Sequence, residues 1–293
     1  MQRPGLSGPF FYGEEGGAAR QVRSLVSHSL VFPFIGINRI GAMQEFAPDS
    51  RLVRRVRPSP NHDERALPAD IVLLHYTGMP TTAVAIAHLC DPSAKVSSHY
   101  VVDEDGTILQ LVPETRRAWH AGLSLWEGVS DINSRSFGIE IGNPGHSYGY
   151  PDFPEIQIAA VIALCRDIVL RHRIRPDRVL AHSDVAPQRK RDPGEKFPWE
   201  RLHRAGVGAW VTPPPVRPGA GLAPGDTGPE VADLQAALRR YGYGIEATGT
   251  YDELTEAVVT AFQRHFRPER VDGRADGSTV ETLRALLGAR EMK

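Results

Sequence analysis

Apolar residues along this chain fall into two kinds of run. Short unbroken runs at 70–75, 136–142 and 178–182 read as buried strands. Residues 99–103 and 107–112 flank Glu104-Asp105-Gly106, and that Asp-Gly turn predicts a β-hairpin. Between these runs the spacing becomes helical. Residues 81–90 are alanine-rich. Residues 154–172 open on Pro154-Glu155 and carry Ile158, Val161, Ile162, Cys165, Ile168 and Val169 at helical intervals. Strands alternating with helices predict an α/β domain over 44–210, a mixed central β-sheet flanked by helices. Residues 44–66, charged and broken by prolines, read as its lead-in.

The pattern changes twice more. Residues 211–224 hold five prolines and predict a semi-rigid extended linker. Beyond it, 225–289 predicts a small three-helix domain. Val231, Leu234, Leu238 and Tyr241 share one face. Leu254, Val258, Phe262 and Phe266 share a second, and Val280, Leu283, Leu286 and Leu287 a third. Asp272-Gly273 and Asp276-Gly277 mark turns, with Ser278 or Thr279 expected as the last helix's cap. Residues 1–43 read as a disordered extension. SLVFPFIGI at 29–37 imitates an export signal, but Pro33 interrupts it, Arg39 follows and no cleavage site is evident. Met43 is an alternative start.

Composition narrows this picture only a little. The chain has 293 residues, enough for two domains, with ordinary hydrophobic (41%) and charged (24%) fractions. A net charge of −1 gives no footprint for nucleic acid or an acidic membrane. No segment reaches the roughly 18 apolar residues of a membrane span. The two cysteines, Cys90 and Cys165, lie in apolar helix-like stretches and are expected as free buried thiols.

The chemistry concentrates in a few residues. His75 ends one strand-like run and His182 another, and Asp192 follows in a loop bounded by Pro187 and Pro193. A histidine at a strand end is, taken alone, more often structural than a ligand. Two imidazoles and a carboxylate together supply the three protein ligands of a catalytic zinc site, leaving one position open. Glu140 sits between Phe137, Ile139 and Ile141, where a carboxylate needs a partner or a task. Taken alone it reads as a salt-bridged core residue. Lys190, between Arg189 and Arg191, reads on its own as part of a solvated basic loop.

Five stretches then carry a resemblance: SPNHDERA at 59–66, HYTG at 75–78, AWHAG at 118–122, SFGIEIGN at 136–143 and HSDVAPQRKRDPG at 182–194. In this order they resemble the zinc N-acetylmuramoyl-L-alanine amidases of the AmpD/AmiD type, which share a fold with peptidoglycan recognition proteins. The resemblance implies Zn2+ on His75, His182 and Asp192, with Glu140 as general base and Lys190 at the oxyanion. Trp119 and His120 would line the substrate groove. Asn61, with Arg65, would brace the lead-in or touch the peptide. His99 is expected to be structural. Phage-type relatives have a tyrosine where this chain has Ser98, which puts the acid–base work on Glu140. The stretches GDTGPEVADLQAAL at 225–238 and TGTYDELTEAVVTAFQ at 248–263 resemble peptidoglycan-binding type 1 domains.

The implied reaction is hydrolysis of the amide between N-acetylmuramic acid and L-alanine, in peptidoglycan or a released muropeptide. A monomer is expected, with no nucleic acid partner. The helical module would tether it to the wall, so deleting 219–293 should spare soluble substrates. Two alternatives stay open: a protein that binds peptidoglycan without cutting it, and a hydrolase of another muropeptide amide. A wall-binding module points to the cell envelope, and the lack of a clear export signal points to the cytoplasm.

Overall fold

The computed structural model describes residues 46–217, 219 and 221–291, so the expected disorder of 1–43 lies outside the described residues. Its strands are β1 (Arg55–Val56), β2 (His62–Glu64), β3 (Ile71–Tyr76), β4 (Tyr100–Val102), β5 (Ile108–Gln110), β6 (Arg116–Ala118), β7 (Ser136–Ile141) and β8 (Val179–Ala181). Its helices are α1 (Thr82–Leu89), α2 (Ile132–Arg135), α3 (Glu155–His172), α4 (His182–Val185), α5 (Trp199–Arg204), α6 (Pro229–Tyr241), α7 (Glu253–Phe266) and α8 (Gly277–Glu291). None of the described helices is long and apolar enough to cross a membrane. Six strands form one mixed sheet in the order β1-β5-β4-β7-β3-β8, and β2 pairs with β6 apart from it. Strands β4, β7, β3 and β8 run parallel, and the expected hairpin is the antiparallel β4–β5 pair.

Strand alternation divides the central sheet into two differently used faces. Val72 and Leu74 of β3 join Phe137, Ile139 and Ile141 of β7 beneath Ile158, Val161, Leu164, Cys165 and Ile168 of α3. Ile71 and Leu73 point the other way, into a core shared with Trp126, Leu180, Val185 and the apolar faces of α6, α7 and α8. The helical module therefore covers part of the second face, and Ile86 and Leu89 of α1 cover Val101 and Leu109 on the same face, in the layered manner of an α/β domain.

That packing differs from the expectation of a separate module behind an extended linker. The described residues from 46 to 291 form one compact unit. Trp126 is fully buried against the rings of Tyr241 and Tyr243. A β-carbon on Gly242 would lie 2.5 Å from the Trp126 ring, so only glycine permits this approach. Arg290 of α8 pairs with Glu127 at 2.8 Å and Asp177 at 2.9 Å. The proline-rich stretch is held as well. Ser278 Oγ donates to Pro214 O at 2.6 Å, and Leu222 and Ala275 exchange two backbone bonds.

Other local expectations also need correction. The lead-in contains β1 and β2. The third buried run ends at Ala181, and His182 begins the helical turn α4. Helix α8 begins at Gly277, so Ser278 and Thr279 lie inside it, and Asp276 just before it caps it, its Oδ1 accepting from Thr279 N at 2.7 Å. The two cysteines are free, Cys165 buried and Cys90 half-buried at the end of α1.

Candidate metal centre and active site

Three adjacent parallel strands, β7, β3 and β8, end at one edge, the usual place for a ligand site in an α/β sheet. His75 lies directly across from Glu140 in the β3–β7 register, so both side chains leave the same face. His182 follows the end of β8. The 186–192 loop returns Asp192 beside it: Lys190 N bonds Ala186 O at 3.0 Å, and Ser183 N bonds Asp192 O at 3.1 Å.

The side chains converge tightly. His75 Nδ1, His182 Nδ1 and Asp192 Oδ2 lie 2.8, 3.1 and 2.9 Å apart pairwise, and all three residues are buried. This is the only such His/Cys/Asp/Glu group among the described residues. The outward bonds decide which atoms face inward. His182 Nε2–H donates to Ala121 O at 3.0 Å, leaving a lone pair on Nδ1. Ser136 Oγ–H donates to Ile132 O at 2.5 Å, since a carbonyl only accepts. His120 Nε2–H then donates to Ser136 Oγ at 3.4 Å, and His75 Nε2–H to His120 Nδ1 at 3.0 Å. Both Nδ1 lone pairs and a carboxylate oxygen thus point at one spot with no proton between them. Three acceptors so arranged fit a cation, with the orienting partners typical of metal-bound histidines.

The electrostatics agree with this arrangement. Burial, the neighbouring His182 and the nearby Lys190 lower the His75 pKa to about 4, against the pull of Asp192, which favours an unprotonated ligand at neutral pH. Burial also holds His120 well below its usual value. Burial pushes the Asp192 carboxyl up, but His182 and His75 outweigh it, and the group stays ionised. Glu140 moves the other way. Burial first, then the Asp192 charge, raise it well above the usual carboxylate range, against the pull of Lys190. Glu140 Oε2 is enclosed without a hydrogen-bond partner. Its open reading as a salt-bridged core residue therefore has no support.

These residues border a small cleft of about 280 Å³, lined by His75, Glu140, His182, Lys190 and Asp192 together with Tyr76, Met79 and Val96. A larger hollow beside Trp210 and Leu286, about 670 Å³, holds no comparable cluster. Lys190 is half-buried at the cleft wall. Arg189 turns away from it and donates to Ala121 O and Leu123 O at 3.0 and 3.1 Å, so this arginine anchors the loop, while Arg191 is exposed.

Of the three residues expected near substrate, His120 lines the cleft and Asn61 and Trp119 do not. Asn61 is buried away from the cleft. Its Nδ2 donates to Asp91 O and Val96 O, both at 2.8 Å, which makes it a brace because its donors are already used. Arg65 is likewise a brace, donating to Ser134 O at 2.6 Å and Ser136 O at 3.0 Å. Trp119 is half-buried outside the cleft lining, with its backbone paired to Ser97. His120 borders the cleft floor, but both its nitrogens are committed to His75 and Ser136. His99 is structural as expected, accepting from Gly138 N at 3.0 Å.

Two residues outside the expected set support the centre. Gly138 lies between Ser136 and Glu140 on the site face, and a β-carbon there would sit 2.6 Å from the His120 ring. Its signal was a glycine inside an apolar strand, which marks a close approach. Asp184 is fully buried, and its signal was an acidic residue just before the apolar Val185-Ala186 pair.

The N-acetylmuramoyl-L-alanine amidase family profile matches residues 65–195, and a peptidoglycan-binding domain profile matches 227–283. N-acetylmuramoyl-L-alanine amidase AmiD of Escherichia coli is 42% identical over 230 residues, covering 74% of this chain and 82% of AmiD. The structure of AmiD with the substrate anhydro-N-acetylmuramic acid-L-Ala-D-gamma-Glu-L-Lys superposes with a TM-score of 0.66, at 38% identity over 81% of this chain and 94% of that one. AmpDh3 of Pseudomonas aeruginosa in complex with anhydromuramic pentapeptide gives 0.63, at 31% identity over 80% and 96%. With one packed body that matches both profiles and most of AmiD, the chain belongs to the N-acetylmuramoyl-L-alanine amidase family.

Proposed function

We propose that this protein is a zinc amidase that hydrolyses the bond between N-acetylmuramic acid and L-alanine in a muropeptide. The observation that carries the reading is the convergence of His75 Nδ1, His182 Nδ1 and Asp192 Oδ2 within one cleft that also holds Glu140 and Lys190. Zinc, when bound, supplies the Lewis acidity that polarises the amide carbonyl and makes water a nucleophile at neutral pH. Glu140 accepts the proton of the attacking water and delivers it to the alanine nitrogen as the C–N bond breaks. Its raised pKa suits both halves of that shuttle. Lys190, which borders the same cleft, is the cation that would stabilise charge developing on the carbonyl oxygen. His120 and the Ala121 carbonyl keep the two histidine ligands in the required tautomers.

The test is mass spectrometry of products from a purified disaccharide-peptide, with and without a chelator. The expected products are a peptide beginning at L-alanine and a peptide-free sugar, lost on chelation and restored by zinc. Cleavage at another amide, or full cleavage without metal, would overturn the assignment.

Glu140→Gln should retain zinc and lower kcat by about 10²–10⁴, the usual worth of general acid–base catalysis. Unchanged turnover in a steady-state assay would remove the shuttle from Glu140. Lys190→Ala should lower kcat by about 10²–10³, as loss of one oxyanion donor does, with little change in KM. A rise in KM alone would make Lys190 a substrate contact.

A further inference from the structure

The carboxylate of Asp184 is 0% exposed and faces three donors. Ala181 N donates to its Oδ2 at 2.8 Å. The other two donors come from the helical module. Tyr243 O–H donates to Oδ1 at 2.7 Å, and His265 Nδ1–H to Oδ2 at 2.6 Å. Asp184 belongs to α4, the turn that begins with His182, and Ala181 is the residue just before that ligand. We propose that Tyr243 and His265 are positioning residues for the metal centre, acting through Asp184 on the turn that presents His182.

A buried carboxylate requires strong donors, and hydrogen bonds to a charged group are about twice as strong as neutral ones. Here the required donors are contributed by a segment distant in sequence. Each residue of α4 is engaged: His182 at the centre, Ser183 N on Asp192 O, Asp184 on the module, and Val185 O accepting from Leu125 N. His265 is itself rigid, with its ring stacked on Trp199 at 3.6 Å and Phe266 at 3.7 Å between centroids. Helix α7 also reaches the loop of the carboxylate ligand. Arg264 approaches Glu195 at 3.6 Å, three residues after Asp192. The module thus bears on two of the three ligands from behind.

This inference rests on the metal reading above, and full-length chains loaded with zinc separate the two. Zinc release to a chelator is followed in wild type, His265→Phe, His265→Asn, Tyr243→Phe and Leu283→Ala, with Tm measured alongside. His265→Phe keeps the stacked ring and removes the donor. It should release zinc about tenfold faster, the low end of losses from removing a partner that orients a ligand. His265→Asn, which returns an N–H near the same place, should recover most of the difference. Tyr243→Phe should change release in the same direction and keeps the test usable if His265→Phe does not fold. Leu283→Ala, in the module core away from Asp184, should lower Tm and release zinc like wild type. Wild-type release in both His265→Phe and Tyr243→Phe would overturn the proposal. So would release that follows Tm equally in the Leu283 variant. Failure of wild type to bind zinc at all would overturn the metal reading instead.

Discussion

His75→Ala should lose stoichiometric zinc and, with it, essentially all turnover. His75 is the fifth residue of a six-residue strand hydrogen-bonded on both sides, and it is 1% exposed. Among the described residues no fourth His, Cys, Asp or Glu joins the cluster to replace its Nδ1. His120, the next imidazole after His182, is held from behind by Ser136. The variant leaves one imidazole and one carboxylate, short of the three protein ligands that catalytic zinc sites use. Metal Lewis acidity contributes several kcal/mol of transition-state stabilisation, so the loss should be roughly a thousandfold or more. Metal analysis together with turnover of a soluble muropeptide checks this. A variant that keeps both one zinc per chain and wild-type turnover would exclude His75 as a ligand. His120→Ala is the informative comparison. It removes only the acceptor that orients His75, and an effect of about 10–100-fold is expected on zinc affinity.

The strands that build this centre were readable because each is a short, continuous apolar run, the mark of a strand buried on both faces. The same runs located His75 and Glu140, since a polar residue breaking such a run demands a reason. The helices α3, α6, α7 and α8 were readable from their 3.6-residue period. What was not readable follows from the same physics. Strands β1, β2 and β6 span only two or three residues, too few to show a period, and β2 and β6 are held by pairing with each other. The turn α4 is invisible as a helix because it has four residues and continues an apolar strand without a break. The relay from His75 through His120 to Ser136 joins residues up to 61 positions apart, and their hydrogen bonding depends on ring orientation, which no spacing encodes. The partial covering of the sheet by the helical module was missed for a related reason. An apolar helix face looks the same whether it packs within its own bundle or against another layer. Proline-rich spacing suggested a spacer, but Trp210 and Val211 pack on the shared core.

That shared core makes truncation the severer test of how the chain is built. Removing residues 219–293 should abolish turnover on soluble muropeptide as well as on intact sacculi. A detachable tether would lose only the second. The cut uncovers Trp126, Val185 and Ala186, all buried against α6 and α7 side chains, and it bares the Trp199 ring where His265 stacks. Fully burying a large apolar side chain contributes about 1.5–3 kcal/mol, so a few such residues approach the 5–15 kcal/mol that stabilises a typical domain. The cut also strips Asp184 of two of its three donors and Arg178 of a neighbourhood in which Arg290 shares Glu127. A buried carboxylate left short of partners costs several kcal/mol more or draws water into the sheet beside His182. The truncated chain is therefore expected in the insoluble fraction, or soluble with a collapsed thermal transition and no stoichiometric zinc. Full turnover of soluble muropeptide by a folded truncated chain, with loss confined to sacculi, would instead mean that the catalytic layer stands without its second cover.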